Sequence, residues 1–153
     1  MSHNPYATPN SDLIATPASA THLYSPAQAA CGALLGGPVG LIYFLRANFK
    51  ALGNERLEKN TLIYGCILVV ALVVALPLLP DKFPSAPFTV GYVVAARQIA
   101  EKFQMTKQAI LNSSQYGFHS NWRVFGIGLL TLVGSAVVVA GPLLILHFMG
   151  VTI

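Results

Sequence analysis

The run TLIYGCILVVALVVALPLL, residues 61–79, decides the fold class. It holds 19 residues without a charge. At ~1.5 Å per residue such a helix is about 28 Å long, which matches the hydrocarbon core of a bilayer. Its interior, Ile67-Leu68-Val69-Val70-Ala71-Leu72-Val73-Val74, is apolar on every face, the pattern of a helix with no watery side. Pro77 and Pro80 mark its end, and Pro80-Asp81-Lys82-Phe83-Pro84 reads as a short polar turn. The whole chain agrees. Of 153 residues, 54% are hydrophobic and only 9% are charged, against about 25% charged in a soluble domain. Mean hydropathy is +0.61. This balance excludes a soluble enzyme, a disordered protein and a nucleic-acid binder.

Upstream, Ser25-Pro26-Ala27-Gln28 fits a capping box with proline at the first helical position. Ala27 to Leu45 is uncharged, and Arg46, Asn48 and Lys50 follow, so a first span is predicted over about 27–47. Gly53-Asn54 reads as a turn: glycine closes one helix and Asn54 caps the next, with Glu55 and Glu58 in the first turn. Glu55 and Lys59 make a favourable i,i+4 pair. So short a connection predicts a tight antiparallel hairpin of helices one and two, the second spanning about 61–80.

Downstream, only 14 uncharged residues separate Lys82 from Arg97, about 21 Å of helix. That length fits a re-entrant or interfacial piece. Snorkelling by Arg97 and Lys102 extends it, and 84–101 reads as a short third span. Thr106 to Leu111 suits a short surface helix, and Asn112 to Gly117 a loop. Ser120 or Asn121 can cap a last helix, which spans about 124–149. Residues 1–25 contain Pro5, Pro9 and Pro17, no Lys or Arg and little apolar surface, so they read as a disordered or loosely packed tail without a cleavable signal peptide. His3 and His22 lie there without a third ligand nearby.

Charge sets the orientation. Lys and Arg collect in cytoplasmic loops. If the third segment crosses, Arg46, Lys50, Arg56, Lys59, Arg97, Lys102, Lys107 and Arg123 share one side and Lys82 stands alone on the other. If it does not, the split is nearly even. The four-span arrangement is therefore expected, with basic loops cytoplasmic and both termini outside. Phe49, Phe103, Tyr116, Phe118 and Trp122 cluster near the proposed inner boundary. Cys31 and Cys66 fall at different depths, which argues against a disulfide within the chain.

Gly32, Gly36 and Gly40 lie four apart, on one helical stripe where backbones can approach closely. This is a helix-packing stripe, used within the chain or between copies. Gly36-Gly37-Pro38 offers a sharper reading: Pro38 removes a donor, and a helix broken there would expose polar backbone near mid-membrane. Gly141-Pro142 in the last helix repeats the Gly-Pro element and makes an inverted repeat conceivable. Gly37, Pro38, Gly141 and Pro142 are thus the helix-break candidates. No Asp or Glu lies in the interior of a predicted span, Glu101 standing at the boundary of the third as an ion pair with Arg97 one turn away, which argues against proton-coupled carriers. His147, near the outer end of the last helix, reads as a satisfied or interface-facing side chain. No Ser/His pair, carboxylate pair, HExxH helix or phosphate-cradling loop is present, so no catalytic, cofactor or metal residue is assigned.

The stretch from Tyr24-Ser25-Pro26 through Leu34-Leu35-Gly36-Gly37-Pro38 to Asn48-Phe49-Lys50-Ala51-Leu52-Gly53 resembles a group of small, uncharacterised bacterial inner-membrane proteins. Gly91-Tyr92 to Ala100 and the final apolar helix resemble it too. The resemblance implies a bacterial inner-membrane location and carries no catalytic residues. The expectation is an all-α polytopic membrane helical bundle of four transmembrane helices, with 26–153 as one domain. Its expected function is non-enzymatic packing with itself or a membrane partner, as adaptor, subunit or scaffold. A small oligomeric channel or carrier is the alternative, and an immunity or defence role a further one. The expected partners are the lipid bilayer and a second copy or another membrane protein, with no cofactor and no nucleic acid.

Overall fold

The computed structural model describes residues 21–80, 84 and 86–149. Residues 1–20, 81–83, 85 and 150–153 lie outside the described residues, and so do the readings made there for His3, Asp81 and Lys82. The His147 side chain is outside them as well.

The described residues are helical almost throughout. A short strand β1 (Thr21–Leu23) leads into α1 (Pro26–Ala51), followed by α2 (Glu55–Ala75), α3 (Ala86–Phe103) and the short α4 (Lys107–Leu111). A second strand β2 (Tyr116–Phe118) precedes α5 (Asn121–Ser135), which runs through a π-helical turn, Ala136–Ala140, into α6 (Gly141–Phe148). Among the described residues, three stretches are long and apolar enough to cross a membrane: Pro26–Ala51, Glu55–Leu78 and Asn121–Ile145. The first is 56% buried inside the protein, the others 17% and 22%. α1 is therefore the centre of the bundle, and α2 and α5 turn most of their apolar surface outward.

The starts of the helices are local chemistry. Ser25 accepts from the Gln28 N–H at 3.2 Å while Gln28 Oε1 accepts from the Ser25 N–H at 3.0 Å, a complete capping box. Asn54 Oδ1 caps α2 through the Leu57 N–H at 3.1 Å. Thr106 caps α4 through the Ala109 N–H at 3.2 Å.

α1 is not one rod. At Gly37 the backbone takes φ 59° and ψ −146°, and the chain turns back on itself. Tyr24, before the first turn, is hydrogen-bonded to Asn48 near the end: Asn48 Oδ1 accepts from the Tyr24 N–H at 2.8 Å, and Asn48 Nδ2 donates to the Tyr24 C=O at 2.7 Å. In a straight helix these residues would stand about 36 Å apart at ~1.5 Å per residue. The Tyr24 and Phe44 rings meet edge to face at 4.8 Å, and Phe44 fills the space over Gly32. The two arms, 26–36 and 38–51, thus lie side by side in opposite directions. This corrects the expectation of a single straight span over 27–47. Length and composition suit a span, and Gly37-Pro38 folds that length into two arms of about 16 and 21 Å.

The other elements dock on this hairpin. The first arm follows α5: Gln28 Nε2 donates to Asn121 Oδ1 at 2.8 Å, Leu35 packs over Gly128, and the break meets Ser135. The second arm runs along α2, where Arg46 pairs with Glu58 at 3.1 Å and Ile42 packs over Gly65. α3 supplies Ala96 and Ala100, both fully buried, whose small side chains admit Leu41, Phe44, Leu45 and Phe49 to the core. Gln104 closes that side, donating to the Leu45 C=O at 2.9 Å and accepting from Asn48 Nδ2 at 2.7 Å.

Residues 21–25 also depart from the loose tail expected over 1–25. Thr21, His22 and Leu23 pair in parallel with Tyr116, Gly117 and Phe118. The pairing puts β1, both ends of the α1 hairpin, the start of α2, the end of α3 and the start of α5 at one end of the bundle. Arg46, Lys50, Arg56, Lys59, Lys102 and Arg123 belong to these segments, Lys107 at the start of α4 lies by Ser25 and His119, and Arg97 sits a turn deeper.

Candidate functional site at the break in α1

The break is dictated by Gly36-Gly37-Pro38. Pro38 has no N–H to give the preceding turn, and its ring crowds the carbonyl four residues back. Gly37 supplies a positive φ combined with a ψ that is essentially restricted to glycine. A reversal deep in an apolar bundle strands backbone polar groups, and each costs roughly 1–3 kcal/mol if unpaired.

Ser135 answers for two of them. Its hydroxyl donates to the Gly36 C=O in a short hydrogen bond, and its Oγ accepts from the Val39 N–H at 3.1 Å. One buried side chain, 8% exposed, therefore replaces the helical bonds on both sides of the turn. Thr131, one turn earlier on α5, folds its hydroxyl back on its own helix, donating toward the Ile127 C=O at 2.9 Å and the Gly128 C=O at 3.0 Å. Its side chain occupies the notch over Gly36 and Gly40.

The three stripe glycines are all spoken for inside the chain. A Cβ on Gly32 would run into the Phe44 ring, and one on Gly36 into Thr131. A Cβ on Gly40 would lie 2.6 Å from the Gly32 carbonyl oxygen. The stripe thus joins the two arms to each other and to α5.

Gly141 and Pro142, the other break candidates, behave differently. Gly141 is helical at φ −56° and ψ −54°. The missing donor of Pro142 is absorbed in the π-helical turn just before it, which widens the helix without reversing it. The loose likeness of the two Gly-Pro elements therefore does not extend to their geometry.

A second polar cluster, which the sequence did not single out, lies where β1 meets α5. Arg123 Nε donates to Tyr24 Oη at 3.3 Å. The His119 ring lies 4.2 Å from that of Tyr24 and 5.5 Å from that of His22. The His119 N–H donates to the Leu23 C=O at 3.1 Å, and its own C=O accepts from Gln28 Nε2 at 2.8 Å. Burial, then the nearby Arg123 and His22, lowers the His119 pKa below 6.5. Burial raises that of Tyr24 above 10.0. Only residue pairs 91 or more positions apart could have announced this clamp, and no local pattern does.

Cys31 and Cys66 are free and exposed on the bundle surface. Among the described residues no group of three or more His, Cys, Asp or Glu side chains comes together. Comparison with protein-family models, curated proteins and solved structures returns no match. The arrangement at the break is therefore read on its own chemistry: a reversed helix whose exposed backbone groups are closed off by one serine.

Proposed function

We propose that the chain is a non-enzymatic integral membrane protein that acts by packing in the bilayer with another copy or with a membrane partner. Three helices cross the membrane in this reading: α2, α3, and α5 with α6. α3 is not among the three stretches of membrane length and apolarity, but its 18 residues measure about 27 Å, with Arg97, Glu101 and Lys102 gathered at its basic end. The arms of α1 form a re-entrant hairpin between them. The first arm, 26–36, measures about 16 Å at ~1.5 Å per residue, about half of a ~30 Å core, so its tip stops near the midplane. The second arm and α2 make the antiparallel pair joined at Gly53-Asn54. The end of the bundle that gathers Lys and Arg is cytoplasmic by the positive-inside rule. Because Thr21–Leu23 lies at that same end, the segment entering α1 is cytoplasmic too, in place of the outside location expected when α1 was counted as a crossing. The resemblance carried by Leu34 to Pro38 and Asn48 to Gly53 supports a bacterial inner membrane.

The observation that carries this reading is the closed state of the break. Irregular backbone inside a bilayer is tolerated where it is buried in protein or lines a watery cavity. Here Ser135 engages both the Gly36 C=O and the Val39 N–H, and the groups around it are apolar or bonded to their own helix. The Gly36 C=O and Val39 N–H at the break are thus occupied, while Ile67, Val70 and Val74 on α2, Leu130 and Val133 on α5 and Val137 in the π-helical turn are exposed. Gentle detergent extraction of a tagged chain from native membranes, with sizing and identification of co-purifying proteins, tests it. A defined homo-oligomer or hetero-complex is expected, and a monomer with no retained protein in any mild detergent would count against it.

The small channel or carrier reading rests on the same break, since unwound Gly-Pro segments near mid-membrane form ion and solute sites in transporters. It requires Ser135 to release the backbone. Ion flux in vesicles that rises with Ser135→Ala would favour this second reading over the first.

A further inference from the structure

We infer that the cleft between α2 and α3 is a binding site for one anionic phospholipid, with an acyl chain in the cleft and the headgroup at the basic end. This rests on residence in a membrane and goes beyond the packing role, which makes no claim about lipid. α2 and α3 both dock on the second arm of α1 and leave a gap between them. The gap is about 370 Å³ in volume, within the range of pockets that hold small apolar ligands. Its floor is Leu41, Ile42, Leu45 and Phe49, and its walls include Leu68 on α2 and Ile99 on α3. Tyr64 and Phe103 stand exposed as its lips, 69% and 59% accessible. A groove of this shape, open sideways to the bilayer and apolar along its depth, matches a hydrocarbon chain.

The charge at its mouth selects the lipid. Asn60 and Tyr64 line the cleft four residues apart, and Arg56 is the next residue down that helical stripe, toward the basic end. On α3, Ala95 and Ile99 line the cleft, and Lys102 follows at i+7 and i+3 from them. Each wall thus ends in one exposed cation. Neither is taken up in an ion pair among the described residues, whereas Arg46, Lys59 and Arg97 are paired with Glu58, Glu55 and Glu101. Two unneutralised cations one helical step beyond the residues that line a hydrocarbon slot, with the Asn60 amide in its lining, complement a phosphodiester headgroup carrying net negative charge. A second copy or a partner helix would have to bring an anion to both cations as well as apolar side chains to the slot, two features that an anionic phospholipid carries in one molecule.

The test uses the full chain reconstituted in vesicles of equimolar phosphatidylglycerol and phosphatidylcholine, extracted gently, with retained lipid read by native mass spectrometry. Retention of a single phosphatidylglycerol in preference to phosphatidylcholine is expected. Arg56→Gln with Lys102→Gln should lower that preference about thirtyfold, about fivefold for each cation near the surface. Ala95→Phe, which fills the slot and leaves the cations, should remove retention of both lipids, with helical circular dichroism unchanged. Lys50→Gln with Lys107→Gln, cations off the cleft-lining stripes, should change nothing. Equal retention of the two lipids would overturn the inference. So would an equal loss of preference in the Lys50/Lys107 pair, which would mean only general attraction to the basic end. A dimer mass in place of bound lipid, abolished by Ala95→Phe, would assign the slot to a second copy and overturn it as well.

Discussion

Asn48 grips Tyr24 by both backbone groups, accepting from its N–H at 2.8 Å and donating to its C=O at 2.7 Å. Tyr24 precedes α1 and Asn48 lies in its last turn, and this bond pair closes the open end of the hairpin. Asn48 is 2% exposed, so the polar groups it serves have no water to fall back on. Asn48→Ala is expected to destabilise the protein by about 1–3 kcal/mol, seen as a lower unfolding midpoint in detergent. Asn48→Asp keeps the acceptor for the Tyr24 N–H but loses the donor to its C=O and to Gln104, and should fall below wild type as well. A wild-type midpoint in both variants would show that the closure is not held here.

Gly37 turns the chain, and a side chain at φ 59° is strained whatever the space around it. A Cβ there would also come 3.3 Å from Ser135 Oγ. Gly37→Val should cost roughly 1–3 kcal/mol or more from backbone strain alone. Gly141→Val, at a helical glycine with open space around its Cβ position, should be close to neutral. Comparing unfolding midpoints of the two variants checks the contrast.

Ser135 satisfies the Gly36 C=O and the Val39 N–H together. Ser135→Ala leaves both without that partner, and a loss of about 2 kcal/mol is expected. Faster hydrogen exchange at the Val39 amide would mark the exposed donor directly, and unchanged protection would show another group taking its place.

Gly36 and Thr131 should be coupled. Gly36→Ala forces its methyl against the Thr131 hydroxyl, and truncating that side chain makes room. Gly36→Ala is expected to be clearly destabilising alone and milder in a Thr131→Ala background, with a coupling energy of about 0.5–3 kcal/mol in a double-mutant cycle. Simple additivity would remove the contact from the description.

Acid should loosen the clamp at β1. The folded pKa of His119 lies below its ordinary 6.5, through burial first and then Arg123 and His22. As pH falls through 6.5 the unfolded chain takes up the proton before the folded one does, so the stabilisation is complete above that value and is lost as pH approaches the folded pKa. Stability measured from about neutral to about pH 5 should decline, and His119→Gln should flatten the decline. An identical pH profile in the variant would move the titration to another group.

Local chemistry was readable from the residues themselves. The Ser25/Gln28 box, the Asn54 cap, and the Glu55–Lys59 and Arg97–Glu101 pairs are all present, at 3.6 Å and 2.9 Å for the two pairs. Each lies within four residues, where spacing alone sets geometry. The weak point at Gly37-Pro38 was also visible, because proline and glycine act on their own turn. What it does to the fold was not. Apolar periodicity is the same on either side of the break, so a bent helix and a reversed one read alike. The choice is made by contacts 24 and 96 to 99 residues apart, Asn48 with Tyr24 and Ser135 with Val39 and Gly36. The same holds for β1 and β2, whose three-residue strands have no signature until they meet.

The reversal of α1 is tested most directly by a distance. Ala27 and Lys50 are both exposed, one on each arm. Cysteines placed at these two positions, with Cys31 and Cys66 changed to serine, can carry spin labels in the reconstituted protein. A straight helix would separate the sites by about 35 Å at ~1.5 Å per residue. Pulsed electron resonance should return less than half of that value if the arms lie side by side. A distance near the straight-helix value would contradict the hairpin and restore α1 as a crossing helix.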